Sequence, residues 1–349
     1  MKSIINLDLS KIFSILVVSI FIVFTSMSAY ASDTKKVIIK FKYGSYAPHG
    51  VIDSPILWYL DEISKRSGVQ IEVETYFGGT LAKPQDCLDA IGIGIYDIGW
   101  ISPAFTINKT PLAIIPNSTP LIDIPLETSL KAAKELSQTF QPMAEEFKNA
   151  GTKCLFHSGV WYYNLISKKP IKNYEDIKGL RVRTYGYLAK LWAELGGTSV
   201  SIPIPEIYYA LEKGVIDAVM TQPISMYKTL HISDIAKNFT KINLGCVSVP
   251  VVFNLKRWNK LPEQVRKSMI DLADEMPVIA NQMINSRELE AIERMKKEGI
   301  NIKELSATDM ARSKEAANLI SEIIVKDLES KGVVTAREAM DIYLKFINK

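Results

Sequence analysis

The chain has 349 residues, of which 47% are hydrophobic and 23% charged, the composition of a globular protein long enough for two domains. Its formal net charge is only +4, and the lysines and arginines are scattered along the whole chain without a basic block. This distribution of charge argues against a nucleic-acid-binding function.

The N-terminus has the pattern of a secretory signal. Two lysines and the apolar run at 12–24 precede Ala29-Tyr30-Ala31, an A-x-A cleavage box, and the polar Ser32 follows. The alternative is a membrane anchor, but the run is shorter than the ~20 residues that a membrane-spanning helix needs. We therefore predict that residues 1–31 are a cleaved signal peptide and that the mature protein is periplasmic.

The mature chain opens with a β-α-β pattern. Alternating strands at 36–43 and 69–76 enclose a helix that opens at Ser54, and this order predicts parallel strands with a right-handed crossover. Ser45 and Tyr46 follow the first strand. Because they lie at the carboxyl end of a strand, we expect them to be ligand contacts.

A helix–glycine–strand phrase occurs twice in the chain. It reads Ala90-Ile91-x-x-Gly94-Ile95-x-Asp97-Ile98 and, further on, Ala210-Leu211-x-x-Gly214-Val215-x-Asp217-Ala218. The apolar positions match as well as the identical residues. The repeat predicts two lobes built on one plan, with Trp100 at the end of the first of the two strands.

The remaining elements follow from hydrophobic periodicity and from glycine and proline positions. After an ordered connection at 102–125, the pattern predicts one helix at 127–150, a strand at 152–157, crossings between lobes at 159–164 and 244–255, a helix of some 35 residues from 262, a strand at 301–305, and helices at 306–328 and 335–346.

The stretch 178–223 carries the sharpest signal. Leu180 and Val182 alternate with Arg181 and Arg183, which predicts a short strand, and helix, strand edge, helix and strand follow. An arginine at the carboxyl end of a strand points into the crevice where α/β folds bind ligands. Its planar guanidinium suits a carboxylate.

The same stretch resembles the DctP-type solute-binding receptors of tripartite ATP-independent periplasmic (TRAP) transporters. Their pattern is roughly a D-x-K-G-x-[KR]-x-R strand, a helix that ends at glycine, and then E-x-Y-x-A-L-x-x-G-x-[VI]-D. The matching residues here are Asp176, Lys178, Gly179, Arg181, Arg183, Glu206, Tyr208, Ala210, Leu211, Gly214, Ile216 and Asp217.

The resemblance implies an α/β fold of two lobes, the periplasmic binding protein fold, with a central ligand cleft and a long helix shared by both lobes. We expect lobe I to comprise residues 32–159 and 247–287, and lobe II residues 160–246 and 288–349. The resemblance also implies that the protein captures a small organic carboxylate and delivers it to the membrane subunits of a TRAP permease. We expect a monomer that closes on its ligand by hinge motion.

In the resembled family, the arginine that ends this strand pairs with the carboxylate of the ligand, a role that carries over to Arg183. Arg181 has the same strand parity and could also face the cleft. Many family members have a second arginine after the first crossing, where this chain has Trp161, Tyr162, Tyr163 and Asn164. This departure predicts a monocarboxylate with a flat, aromatic or apolar remainder.

Further expected ligand contacts come from several parts of the chain. Thr221 or Gln222 stands where the family has a polar residue after the last strand of the motif. The other candidates are Ser45, Tyr46, Trp100, Trp161, Tyr163, Asn164 and Tyr185. Asp217 is expected to cap the turn after Gly214.

The sequence predicts no enzyme, cofactor or metal site. None of the three histidines has another histidine or a cysteine at i+2 to i+4, and there is no G-x-S-x-G elbow or Walker loop. Cys87, Cys154 and Cys246 match no zinc spacing; free buried thiols are expected, and a single disulfide is the alternative. Two other functions remain open: a periplasmic sensor of the same fold that feeds a signalling partner, and a periplasmic hydrolase or lyase.

Overall fold

Two separate sheets organise the protein. The computed structural model describes residues 38–50, 52–245 and 247–348. The predicted signal peptide at 1–31, its cleavage before Ser32, and Cys246 lie outside the described residues. The strands are β1 Ile38–Gly44, β2 Gln70–Tyr76, β3 Ile98–Trp100, β4 Thr152–Val160, β5 Asn164–Ser167, β6 Arg181–Arg183, β7 Thr198–Val200, β8 Ala218–Thr221, β9 Asn238–Lys241, β10 Val247–Asn254 and β11 Asn301–Glu304.

The helices are distributed over both sheets. They are α1 Asp53–Ser67, α2 Cys87–Ile93, α3 Pro103–Thr106, α4 Ile114–Ser118, α5 Leu126–Thr139, α6 Gln141–Asn149, α7 Gly186–Glu194, α8 Ile207–Glu212, α9 Pro223–Lys228, α10 Leu255–Trp258, α11 Glu263–Lys297, α12 Ala307–Ser330 and α13 Ala336–Ile347. Short 3-10 turns occupy Tyr174–Ile177 and Ile204–Glu206. The mixed α/β class is confirmed, whereas strands β5 and β9 and the short helices α3 and α4 within the predicted connection at 102–125 were not predicted.

The first sheet has five strands in the order β2-β1-β3-β10-β4, and the second has six in the order β11-β9-β5-β8-β6-β7. The strand β1 is parallel to β2 and β3, as the β-α-β pattern predicts, whereas β10 is antiparallel to both of its neighbours. In the second sheet β6 is parallel to β7 and β8, while β5 is antiparallel to β8 and β9. Below, the first lobe means the five-stranded sheet with its helices, and the second lobe means the six-stranded sheet with its helices.

The chain crosses between the sheets where the sequence predicts. Residues 161–163 connect β4 to β5, and residues 242–246 connect β9 to β10. The long helix α11 packs in both lobes: Val265, Met269 and Met276 belong to the core beneath β1 and β4, whereas Met295 packs among residues of the second sheet. The shared helix is therefore present.

The limits of the two lobes in the chain remain a prediction. The helix α13 contacts α5 of the first lobe, where the Tyr343 and Ser129 hydroxyls lie 3.3 Å apart. It also packs against α12, which in turn contacts α7 of the second lobe. The C-terminal residues thus span the two lobes.

Two helix predictions need correction. The single helix expected at 127–150 is broken at Phe140, where ψ is 99°, and α6 starts with Pro142 in its first turn. A proline inside a continuous helix lacks the N–H that bonds four residues back, so the chain breaks and restarts there. In addition, Ser54 caps nothing: α1 begins at Asp53, and the Ser54 hydroxyl donates to the Gly50 carbonyl.

Two further predictions concern thiols and membrane spans. Cys87 and Cys154 are buried free thiols. Burial raises the pKa of Cys154 to about 12, so this thiol stays protonated. Within the three described ranges, no helix combines the length and apolarity that a bilayer span requires.

Candidate functional site

The first lobe contributes a closed hydrogen-bond network at the carboxyl ends of β1 and β3. The indole nitrogen of Trp100 donates to Ser45 Oγ at 3.1 Å and to Asp53 Oδ1 at 3.0 Å. The Tyr43 hydroxyl donates to the same Asp53 oxygen at 2.6 Å. Burial, and after it the charge of Asp53, raises the pKa of Tyr43 well above its ordinary value. The structure thus brings Ser45 and Trp100 together and bonds their polar atoms to each other and to Asp53, in what is called below the wall of the first lobe.

Tyr46 connects this wall with the second lobe. Its ring centroid lies 4.4 Å from that of Trp100 and 6.2 Å from that of Phe105. Burial raises the pKa of Tyr46 far above its ordinary value, and the nearby Tyr185 phenol raises it further. Because Tyr185 follows strand β6, these two tyrosines are neighbours across the gap between the lobes.

The second lobe contributes Arg183 at the carboxyl end of β6. Arg183 is half-buried, and its Nε donates to the Ile202 carbonyl at 3.2 Å. The guanidinium carbon lies 5.0 Å from the centroid of the Tyr185 ring, a cation–π distance. In the described part of the chain, no carboxylate lies within 4.0 Å of this guanidinium. Its two terminal nitrogens therefore keep donors for an anion.

Two tyrosines and a glutamine surround Arg183. The hydroxyls of Tyr163 and Tyr185 lie 3.0 Å apart. Burial raises the pKa of Tyr163 well above its ordinary value, while Gln222 and Arg183 act in the opposite direction. Gln222 Oε1 also accepts from Ser225 Oγ at 3.0 Å and lies 3.4 Å from Thr221 Oγ1. The structure thus groups five predicted residues, Tyr163, Arg183, Tyr185, Thr221 and Gln222, at one end of the second sheet.

Asn164 and Trp161 lie at the first crossing between the sheets. Asn164 is fully buried, and its Oδ1 accepts from the backbone nitrogens of Ile242 at 2.9 Å and Asn243 at 3.0 Å. Its Nδ2 donates to the Tyr162 carbonyl at 3.1 Å. The Asn164 amide thus joins the two crossing segments, and its expected ligand role stays a prediction. Trp161 is half-buried beside the core of the first lobe, and its ring is tilted against that of Tyr162, with the two centroids 5.3 Å apart.

Arg181 also departs from expectation. Its guanidinium binds both carboxylate oxygens of Asp217 at 3.0 Å and the Gly214 carbonyl at 2.7 Å. Although it shares a strand face with Arg183, it lies at the opposite end of β6, about 6.6 Å from the carboxyl end. Hydrogen bonds from Arg181 hold the pKa of Asp217 below its usual range. Arg181 therefore neither faces the cleft nor leaves Asp217 free to cap the turn.

The helix α11 contributes two side chains that the sequence did not single out. Arg287 Nη1 donates to Ser54 Oγ in the first lobe at 2.7 Å. The next residue, Glu288, is fully buried, and its Oε2 accepts from the Ile224 backbone nitrogen at 2.8 Å in the second lobe. Burial raises the pKa of Glu288 to about 8. Arginine and glutamate are common on a long polar helix, so Arg287 and Glu288 have no distinctive sequence signal. Only the fold reveals that one bonds to the first lobe and the other to the second.

A cavity of about 170 Å³ opens beside Tyr185. Its walls come from the α3–α4 region of the first lobe, the start of α7 in the second lobe, and the second crossing. The lining residues are Ser102, Ala104, Ile107, Ile114, Asn117, Ser118, Thr119, Pro120, Tyr185, Gly186, Tyr187, Leu188, Leu244, Gly245 and Val247. Of the residues predicted to contact ligand, Tyr185 is the one that lines it.

Comparison with known proteins gives one family. Residues 57–327 match the DctP family model, described as bacterial extracellular solute-binding protein, family 7. Among curated proteins, the C4-dicarboxylate-binding periplasmic protein DctP of Rhodobacter capsulatus is 22% identical over 277 residues. These residues cover 77% of this chain and 81% of that protein.

Solved structures have the same fold. A TRAP periplasmic solute-binding protein from Desulfovibrio salexigens superposes with a TM-score of 0.79 at 25% identity, covering 88% of this chain and 95% of that one. A TRAP solute-binding protein from Rhodoferax ferrireducens, in complex with copurified benzoate, gives a TM-score of 0.77 at 21% identity, covering 89% and 98%.

Proposed function

Since this chain belongs to the DctP family, family 7 of the bacterial extracellular solute-binding proteins, we propose that it captures a small organic monocarboxylate between its lobes. The observation that carries the proposal is Arg183. It is a half-buried arginine at the carboxyl end of a strand, with no carboxylate within 4.0 Å among the described residues. A guanidinium placed in this way binds a carboxylate through two parallel charge-assisted hydrogen bonds.

Neutral donors beside Arg183 support an anion. Burial keeps Tyr163 protonated, so the hydrogen-bonded pair of Tyr163 and Tyr185 offers a phenolic proton next to the guanidinium. Gln222 contributes an amide group to the same cluster. Together these groups would solvate one carboxylate without requiring a metal ion.

We infer one carboxylate rather than two because the described cluster has one available arginine. The place of the family's second arginine holds Trp161, Tyr163 and Asn164, and the charge of Arg181 is used by Asp217. Relatives differ on this point: one is named for C4-dicarboxylates, and one structure holds benzoate. The aromatic surroundings here favour a ligand with one acid group and a flat or apolar remainder.

The partner and the compartment follow from the same family. We propose that the mature protein begins at Ser32, acts as a monomer in the periplasm, and passes its ligand to the membrane subunits of a TRAP permease. Relatives are named as periplasmic binding proteins, which supports this compartment.

An enzymatic role has less support. His157 does contact two serines, Ser137 at 2.7 Å and Ser248 at 3.0 Å, a pairing that could suggest a nucleophile. However, His157 is fully buried, and burial lowers its pKa to about 3. It therefore serves as a neutral core residue that a substrate does not reach, and the family consists of binding proteins.

A thermal-shift screen of the mature protein tests the proposal. Monocarboxylates should raise the melting temperature, since a ligand at 100 times its dissociation constant adds about 2.7 kcal/mol of stability. The primary amide and alcohol of the same skeleton serve as controls and should have no effect. Stabilisation by neutral sugars or amides, with none by any carboxylate, would contradict the proposal that the protein binds a monocarboxylate.

A further inference from the structure

We propose that the cavity beside Tyr185 holds the apolar body of the ligand and limits it to about six carbons. This inference rests on the proposed function, because it assumes that Arg183 binds the carboxylate. The connection between the two parts is Tyr185, whose ring lies 5.0 Å from the Arg183 guanidinium and also lines the cavity.

The walls of the cavity suit an apolar group. Ala104, Ile107 and Ile114 come from the first lobe, and Leu188 comes from the second lobe. None of the described residues that line the cavity is charged. A ligand body placed there would be enclosed by both lobes, so its burial would favour their closed arrangement.

Three of the polar side chains in the walls are hydrogen-bonded within the protein. Asn117 Nδ2 donates to the Ser248 carbonyl at 2.9 Å, and Thr119 Oγ1 donates to the Ile115 carbonyl at 2.6 Å. The Tyr187 hydroxyl donates to Asp327 at 2.6 Å. A second carboxylate on the ligand would therefore enter a space without a cationic side chain. Burying an unpaired charge is costly, so this site should reject dicarboxylates.

The volume of the cavity limits the size of the apolar part of the ligand. A cavity of about 150 Å³ lined by aliphatic and aromatic side chains accommodates benzene, and the present cavity has about 170 Å³. The predicted class is therefore a monocarboxylate with a six-carbon ring or a chain of similar bulk. Longer bodies would have to displace wall residues from two lobes.

Calorimetry with a chain-length series tests this inference on the mature protein. Butanoate, hexanoate and octanoate are the probes, with adipate as the dicarboxylate of the same length as hexanoate. Affinity should rise about three- to fourfold per added methylene up to hexanoate and then fall at octanoate. Adipate should bind at least about tenfold more weakly than hexanoate. An affinity that is flat across the series, or equal for adipate and hexanoate, would overturn the inference.

A cavity-filling variant gives an independent test. Ala104→Leu adds volume at an exposed helix position that lines the cavity, and Ala311→Leu is the control at an exposed position of α12 outside it. Ala104→Leu should weaken hexanoate at least about tenfold and leave butanoate within about threefold, whereas the control should change neither. Equal effects on both acids would contradict the inference; if Ala104→Leu does not fold, the wild-type series decides. Binding that depends on Arg183 but shows no preference for chain length would refute the role of the cavity and leave the proposed function standing. If no carboxylate binds at all, both the cavity inference and the proposed function are refuted.

Discussion

Asp97 and Asp217 occupy equivalent positions in the two sheets and make the same hydrogen bonds. The Asp97 nitrogen donates to the Lys42 carbonyl at 2.9 Å, and its Oδ2 accepts from the Lys42 nitrogen at 2.8 Å. For Asp217 the partner is Arg181, at 2.8 Å and 2.9 Å. Each aspartate fixes the start of a strand whose other end carries predicted ligand residues. The repeat in the sequence thus corresponds to a repeated way of aligning the strands beneath the cleft.

The Arg181–Asp217 pair should matter for strand alignment and not for ligand binding. We expect Arg181→Ala to keep ligand affinity within about threefold, because the side chain lies at the opposite end of β6 from Arg183 and is bonded to Asp217 and Gly214. The pKa of Asp217 is lower in the folded protein, so its ionised carboxylate stabilises the fold at pH values above the unfolded pKa. This stability is lost as the pH falls through the folded pKa. The variant should therefore melt slightly lower than wild type at pH 7 and equally at low pH. A large loss of affinity in the folded variant would return Arg181 to the cleft.

Asn164 should prove to be a structural residue of the crossings. Asn164→Ala leaves two buried backbone N–H groups, of Ile242 and Asn243, without their acceptor. Each unpaired group costs about 1–3 kcal/mol, so urea unfolding should show a loss of about 2–6 kcal/mol. Asn108→Ala, at an exposed position, is the control and should change little. Unchanged stability together with weaker ligand binding would contradict the structural role and support the ligand role.

The buried carboxyl of Glu288 should make stability depend on pH. Burial raises the pKa of Glu288 from 4.5 to about 8. The folded protein is therefore most stable at pH values below the unfolded pKa, where this carboxyl is protonated, and it loses that stability as the pH rises through the folded pKa. Glu288→Gln cannot ionise and should melt increasingly above wild type between pH 5 and pH 8. Glu290→Gln, at an exposed position of the same helix, should follow the wild-type curve. Parallel curves for Glu288→Gln and wild type would refute this behaviour.

The two crossings should act as a hinge. Residues 161–163 and 242–246 connect the sheets, and α11 continues from one lobe to the other. Saturating ligand should decrease the radius of gyration in solution scattering, since the ligand bridges the lobes. The Arg183→Ala variant at the same ligand concentration is the control. An unchanged profile for wild type would argue against closure, though not against binding.

Much of the fold could be predicted because its signals are local. Alternation predicted strands β1, β2 and β6, although β5 and β9 were not predicted. The glycines after α2 and α8 are left-handed, with φ of 85° at Gly94 and 70° at Gly214. The first crossing was predicted at 159–164 and is observed at 161–163, whereas most of the stretch predicted for the second crossing, 244–255, is strand β10. The position of Arg183 could be predicted in the same way, since alternation alone places it at the end of a strand.

The other parts of the site depend on contacts between distant segments. The sequence placed Asn164 correctly at a crossing, but its oxygen bonds to the backbone of residues 242 and 243, which no local pattern shows. Asp53 likewise meets Trp100 only after β1 and β3 pair. The bonds from Arg287 and Glu288 to opposite lobes require the long helix to be in place.

The central claim, that Arg183 binds the carboxylate of the ligand, is tested most directly by calorimetry on Arg183→Ala with the monocarboxylate found in the screen. Removing one partner of a desolvated charge pair should cost about 2–5 kcal/mol, roughly 30-fold to several-thousand-fold in affinity. Arg183→Lys should bind weakly as well, though better than alanine, because it keeps the charge but not the planar fork. Arg181→Ala is the matched control, and melting curves establish that each variant is folded. Near-native affinity in a folded Arg183→Ala protein would contradict the claim.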